Sequence, residues 1–262
     1  MKGGFGGNTS CVQVFSDDNE MIIDCGSGIR NCIGSSMGKE DKKIHILMTH
    51  FHWDHIIGLP FFVPMYVKGY EINFYAVQSE LPEIVKSLFK KPYFPVPYEV
   101  LESTINFHQL KPREINKVAG FDVTPYLMDH PDECWGFKIK KNDKVFSYCV
   151  DNEALRVSRE ELGEDLPIYQ GVDLLIYDAQ YSFKEAEEKK NWGHSSAPKG
   201  IDIAAREHIK KIVFTHHDPM ATDENISQIA RLAVQHFEEM DEELLEHFPE
   251  WEIAVEGKKL KV

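Results

Sequence analysis

The chain has 262 residues, 42% of them hydrophobic and 11% aromatic, enough to bury a full core, and it carries a formal charge of −14. That charge argues against a broad basic face for long nucleic acid; a small phosphate ester stays open, because bound divalent ions would reverse the local field. No apolar run reaches the roughly 18–20 residues that span a bilayer, no signal peptide is visible, and the five cysteines contain no CxxC, so the expectation is a cytoplasmic protein with reduced thiols, no membrane partner and no disulfide framework.

In chain order, the glycine-rich start MKGGFGGNTS reads either as a loose tail or as a loop packed near a cleft. Cys11 to Phe15 and Met21 to Asp24 are expected strands of a hairpin turning at Ser16 to Asn19. Asp24, in DCGSG, has two readings: it orients a ligand histidine, or it caps a helix beginning near Ser27. Lys43 to Thr49 (KIHILMT) is an apolar, β-forming run that delivers His50-Phe51-His52-Trp53-Asp54-His55. This segment offers His50, His52, Asp54 and His55 as metal ligands, too tightly spaced for one tetrahedral ion and better split between two. A loop tipping into an apolar turn of helix follows it.

Further on, a strand over Glu71 to Val77 and a helix over Leu81 to Phe89 precede KPYFPVP, whose three prolines exclude regular structure. Its aromatics read as a packed loop or as the wall of a pocket. Strands are expected at Thr104 to Leu110, Phe121 to Leu127, Gly136 to Ile139, Val145 to Val150, Asp173 to Tyr177 and Lys211 to Thr215. Helices are expected at Lys199 to His208 and Asp223 to His247, the latter with Ile226, Ile229, Ala230, Ala233, Phe237 and Met240 on one face. No composition break marks a linker, so residues 1–262 read as a single α/β domain. Candidate donors recur where strands end: His130, Asp151, Asp178 and His216, with His194 in GHSS just before a helix. KIHILMTH and KIVFTH echo one another as apolar strands ending in Thr-His.

Through HFHWDH and the later His130, Asp151 and His216, the chain resembles the metallo-β-lactamase superfamily, from GGNTSC near the start to THHDP. Within it, DCGSG, VDNE, GHSS and THHDP resemble the phosphodiesterase branch that includes tRNase Z and the cyclic-phosphate hydrolases. The resemblance implies an αββα sandwich and two divalent metal ions, zinc first, with manganese or iron as alternatives. His50, His52 and His130 would hold one ion, and Asp54, His55 and His216 the other, with Asp151 bridging. His217 is the weaker choice, since His216 takes the place after Thr that His50 also takes. Hydroxide between the ions would attack a phosphodiester. His194 would protonate the leaving oxygen and Asp178 would orient it, and Asp54 counts with these two in the catalytic set.

Three departures bear on substrate. The interval from His130 to Asp151 is too short for the arm with which tRNase Z grips tRNA, and the cysteine cluster of some cyclic phosphodiesterases is missing. Relatives also usually carry a strand ahead of GGNTSC, so the start reads as abrupt. The leading expectation is hydrolysis of a small, preferably cyclic, nucleotide or phosphoribosyl phosphodiester. The alternatives are a tRNase Z-like RNA endonuclease, a thioester or lactone hydrolase, and a non-catalytic metal- or ligand-binding module. A homodimer is compatible with the resemblance.

Overall fold

The computed structural model describes residues 3–16, 19–32, 42–239 and 247–262. Contacts gather them into two compact units, one of Asn8–Lys111 and Asn116–Phe121, the other of Met1–Gly7, Pro112–Ile115 and Asp122–Val262.

The first unit carries β1 (Val12–Ser16), β2 (Asn19–Ile23), β3 (Lys43–Leu47), β4 (Glu71–Ala76) and β5 (Thr104–Gln109), hydrogen-bonded in that order. β1 and β2 form the expected antiparallel hairpin, and the remaining neighbours are parallel. Alternation on the pleat sends Ile44, Ile46, Ile72 and Phe74 into one core with Leu81, Val85 and Leu88 of helix α2 (Leu81–Leu88). Each such side chain contributes about 1.5–3 kcal/mol by leaving water. The opposite face is polar, with Tyr75 stacked on both His45 and His108. A short strand, β6 (Asn116–Val118), was not anticipated from the sequence and also belongs to this unit.

Two expectations in this unit need correcting. β3 stops at Leu47 rather than Thr49, because the Thr49 amide leaves the ladder and donates to the Asp24 carboxylate at 2.9 Å. The turn over Ser27–Cys32 is a 3-10 helix that Asp24 does not cap; the Ser27 amide donates instead to Thr9 Oγ1. The turn of helix after the histidine cluster is α1 (Trp53–Ile56), stitched in place by Cys25 N–H to His55 O and Gly58 N–H to Cys25 O. The proline-rich stretch is irregular as expected. Within it Phe94 packs edge-on against Phe61 and Phe89, while Tyr93 is exposed.

In the second unit the strand order is β12 (Glu250–Ile253), β11 (Lys211–Thr215), β10 (Leu174–Asp178), β9 (Lys144–Cys149), β8 (Trp135–Lys141) and β7 (Phe121–Leu127). β7, β8 and β9 are antiparallel neighbours, and β9 through β12 run parallel. β12 is a further strand the sequence did not reveal, being short and half charged. Three capping boxes start helices α3 (Arg159–Leu162), α4 (Phe183–Glu188) and α6 (Asp223–Glu238), at Ser158, Ser182 and Thr222. Helix α5 (Ala197–Arg206) packs on the sheet through Ala197, Ile201 and Ala204. Gly200 permits that approach, since a Cβ there would lie 2.7 Å from the Tyr177 ring.

The described part of α6 ends at Glu238, short of the expected His247, with the Glu239 amide bonded to the His236 carbonyl. Ile226, Ile229 and Ala233 are buried and Phe237 packs beside them, whereas Ala230 and Met240 of the expected face fall outside what is described. The glycine-rich start is a packed loop: Gly4 N–H donates to Asp223, Gly7 N–H to Glu256, and Phe5 lies edge-on to His217. No disulfide links the five cysteines among the described residues.

Candidate metal centre

Each unit carries a cluster of donors. In the first, β3 leads through buried Met48 and Thr49 to His50, whose ring lies 4.5 Å from that of His52 and 4.3 Å from that of His55. Asp54 Oδ2 is 3.3 Å from His55 Nε2. Behind them sits Asp24, fully buried at the end of β2, accepting from Thr49 N–H, from Thr49 Oγ1 at 3.0 Å and from His55 Nδ1 at 2.8 Å. Of its two readings, the geometry selects orientation of a histidine. Gln78 donates to the Thr49 carbonyl and holds this exit from the other side.

The second cluster gathers at the C-terminal ends of three parallel strands, where ligands of such sheets collect. β9 leads to Asp151, β10 ends in Asp178, and β11 is followed by His216, with Asp178 in register with Thr215. Asp151 and His216 have φ values of 52° and 62°, as does Asp24 at 62°, so all three leave their strands through the left-handed region that few non-glycine residues adopt. The four side chains of Asp151, Asp178, His194 and His216 each bring a ligand atom within 4.8 Å of the others. The two oxygens of Asp151 address different histidines: Oδ1 is 3.9 Å from His130 Nε2 and Oδ2 is 3.3 Å from His216 Nε2.

Asp178 is fully buried and committed to its neighbours. It accepts from the amides of Asp151, Gln180 and Ser195, and from His194 Nδ1 at 3.0 Å. Its position on β10 thus fixes both the bridging candidate and the proton-donor candidate. His194 is not the cap of α5; that place belongs to Ser196, while Ser195 Oγ pairs with Tyr177 Oη at 2.9 Å.

The donor chemistry suits a zinc-type ion, being imidazole and carboxylate. Five histidines are engaged through Nδ1: His50 by Thr49 Oγ1, His55 by Asp24, His130 by the Asp132 carbonyl, His194 by Asp178 and His216 by Gln180 Oε1. A ring whose Nδ1 is held in this way presents Nε2 for coordination or proton transfer. His217 belongs to neither cluster, and burial pushes its pKa down to about 4, so it stays neutral.

Several supporting residues escaped the sequence reading. Thr49 and Gln180 hold histidines, and the buried carboxylate of Glu153 accepts the amides of Asn191 and Gly193 on either side of Trp192. Arg156 bonds both Asp129 and the Leu127 carbonyl just ahead of His130. The only signal for Glu153 and Gln180 was position, two residues past Asp151 and Asp178.

A family model described as the β-lactamase superfamily domain matches residues 19–217. A ribonuclease Z of Azobacteroides pseudotrichonymphae is 28% identical over 239 residues, covering 81% of this chain and 83% of that protein. Among solved structures, yeast PDE1 shares the fold at a TM-score of 0.68 and 15% identity, over 97% of this chain and 94% of that one. A diphosphatase from the PhnP family does so at 0.64 and 19% identity, over 97% and 84%. Well over half of the sequence matches one model, on a framework whose strand ends carry histidine and aspartate, and the chain therefore belongs to the β-lactamase superfamily and has the metallo-β-lactamase fold.

Proposed function

We infer that this chain is a metal-dependent hydrolase of phosphodiester bonds, residues 1–262 acting as one domain. As the resemblance implies, His50, His52 and His130 would hold one divalent ion and Asp54, His55 and His216 another, with Asp151 shared. The observation that carries this reading is the divided attention of Asp151, one oxygen toward His130 and the other toward His216. Zinc is the first choice of ion, with manganese and iron compatible with the same donors.

When bound, such ions activate water and draw off the charge that builds on a phosphoryl oxygen. The chain's own residues do the rest. Asp24 keeps His55 in one tautomer and orientation. Asp178 holds His194 through Nδ1, which leaves Nε2 facing away from it as the atom that would pass a proton to the departing alkoxide.

The substrate is a small, preferably cyclic, nucleotide or phosphoribosyl diester. In support, most of the interval from His130 to Asp151 is taken up by the tight β8–β9 hairpin, and the charge of −14 disfavours a long polyanion. Among the described residues no helix is long and apolar enough to cross a membrane. A second reading, RNA processing, is favoured by the ribonuclease Z relatives that align with about four-fifths of the chain, such as the one covering 81% of it.

Paired variants test the assignment. Asp151→Ala is expected to lose metal and turnover of bis-p-nitrophenyl phosphate together. His194→Ala is expected to keep its metal, measured by elemental analysis, while kcat falls about 10²–10⁴-fold. Equal metal loss in both variants would remove His194 from the acid role. Turnover of a thioester but not the diester would move the chemistry from phosphorus to carbon. Cleavage of precursor tRNA in preference to 2′,3′-cyclic nucleotides would favour the second reading.

A further inference from the structure

Trp192 is the most conspicuous side chain beside the proton donor, and the mechanism above makes no use of it. Its indole is 63% exposed, although it lies only two residues from His194. A single exposed aromatic on a loose loop needs no explanation. This loop is not loose. The amides on both sides of Trp192 are tied to Glu153, Asn191 N–H to both carboxylate oxygens at 2.9 Å and Gly193 N–H to Oε2 at 3.3 Å. Glu153 is itself only 2% exposed, so a costly buried carboxylate is spent on fixing the backbone of a residue whose ring contributes little to the core.

A cation and a second ring complete the arrangement. Lys189 Nζ stands 4.0 Å from the centre of the Tyr181 ring and 5.9 Å from that of Trp192. Tyr181 is buried and meets His194 edge-on, the ring centres 5.7 Å apart at 83°. Indole, ammonium, phenol and imidazole thus form one continuous row. The neighbouring Lys190 is paired with Glu187 at 2.9 Å, whereas Lys189 lies over the two rings. In a chain of charge −14, an ammonium held at this point is complementary to an anionic ligand.

We propose that Trp192 and Lys189 form the subsite for the nucleoside part of the substrate, with the base stacked on the indole and the ammonium drawing in the anionic phosphate. This rests on the phosphodiesterase reading and narrows it: the substrate carries an aromatic base, and a bare phosphoribosyl ester binds more weakly. Stacking of a base on an aromatic side chain is strong enough to change affinity about tenfold or more, and it tolerates any base because every base has a π-face.

Isothermal titration of zinc-loaded protein with AMP and with ribose 5-phosphate reads the inference, since the two ligands differ only in the base. Wild type is expected to prefer AMP about tenfold. Trp192→Ala should abolish that preference, Trp192→Phe should keep most of it, and Lys189→Ala should weaken both ligands alike. Equal affinity for the two ligands in wild type, or an unchanged preference in Trp192→Ala, overturns the base subsite. An unchanged affinity for both ligands in Lys189→Ala overturns the part given to the ammonium. Circular dichroism of each variant separates loss of binding from loss of fold. Hydrolysis of methyl p-nitrophenyl phosphate by wild type is measured alongside: its absence counts against the phosphodiesterase reading, while the binding ratio still decides the subsite.

Discussion

Asp24 and Asp178 are both fully buried, and each accepts from the Nδ1 of one histidine, His55 and His194. In the proposed function the same pairing would serve two uses, one to fix a metal ligand and the other to support a proton donor. Asp24→Asn tests the first. An amide keeps the shape but loses the charge that makes His55 a better ligand, so zinc affinity is expected to fall about 10–100-fold. Competition with a chromogenic chelator measures it, and an unchanged affinity would reduce Asp24 to a purely structural part. From sequence, Asp24 was equally a helix cap. The deciding contact is the Thr49 amide, which lies just past the end of β3, more than twenty positions away, and leaves no trace in the local pattern.

At the level of elements, the donors were legible because they stand where apolar, β-branched runs stop. Phe121 to Leu127 and Lys211 to Thr215 have the bounds their composition suggests. Less legible were β6 and β12, too short and too polar for periodicity to show, and the 3-10 turn at Ser27, where side-chain partners outweigh helix signals. The braces behind the donors were invisible for the same reason. Arg113 and Arg156 both bond Asp165, and Arg156 also bonds Asp129, the residue before His130. Burial by itself raises the Asp165 pKa, but hydrogen bonds from Arg113 and Arg156 outweigh it and hold the carboxyl below the ordinary range. A lowered pKa gives stability that is present above the unfolded value of about 3.9 and is lost as pH falls through the folded value. Asp165→Asn, which takes the buried carboxylate away from Arg113 and leaves Arg156 with Asp129 alone as its acid partner, is therefore expected to cost about 3 kcal/mol at pH 7. Urea titrations at a series of pH values should show the gap to wild type narrowing below about pH 4; a gap independent of pH would mean the loss is one of packing.

For the whole molecule, the surplus of acid has a thermodynamic consequence. Asp24, Asp151 and Asp178 are buried members of the acid surplus that gives the chain its −14, and cations bound at the candidate donors would relieve part of that repulsion. Ions that bind the folded state alone stabilise it by about 2.7 kcal/mol at one hundred times their dissociation constant. In a protein of this size that corresponds to roughly 5–10 °C in Tm. Thermal melts before and after dialysis against a chelator measure it, and identical curves would show that the clusters bind no ion strongly. The family match from 19 to 217 spans sequence from both units.

Gly193 has a φ of +87°, and a Cβ on it would fall 2.2 Å from the His130 ring. One missing methyl group therefore makes room for the imidazole of His130 against the backbone just ahead of His194. Any side chain at position 193 in this protein would have to displace that ring, so Gly193→Ala would unseat His130 while leaving each histidine of the sequence in place.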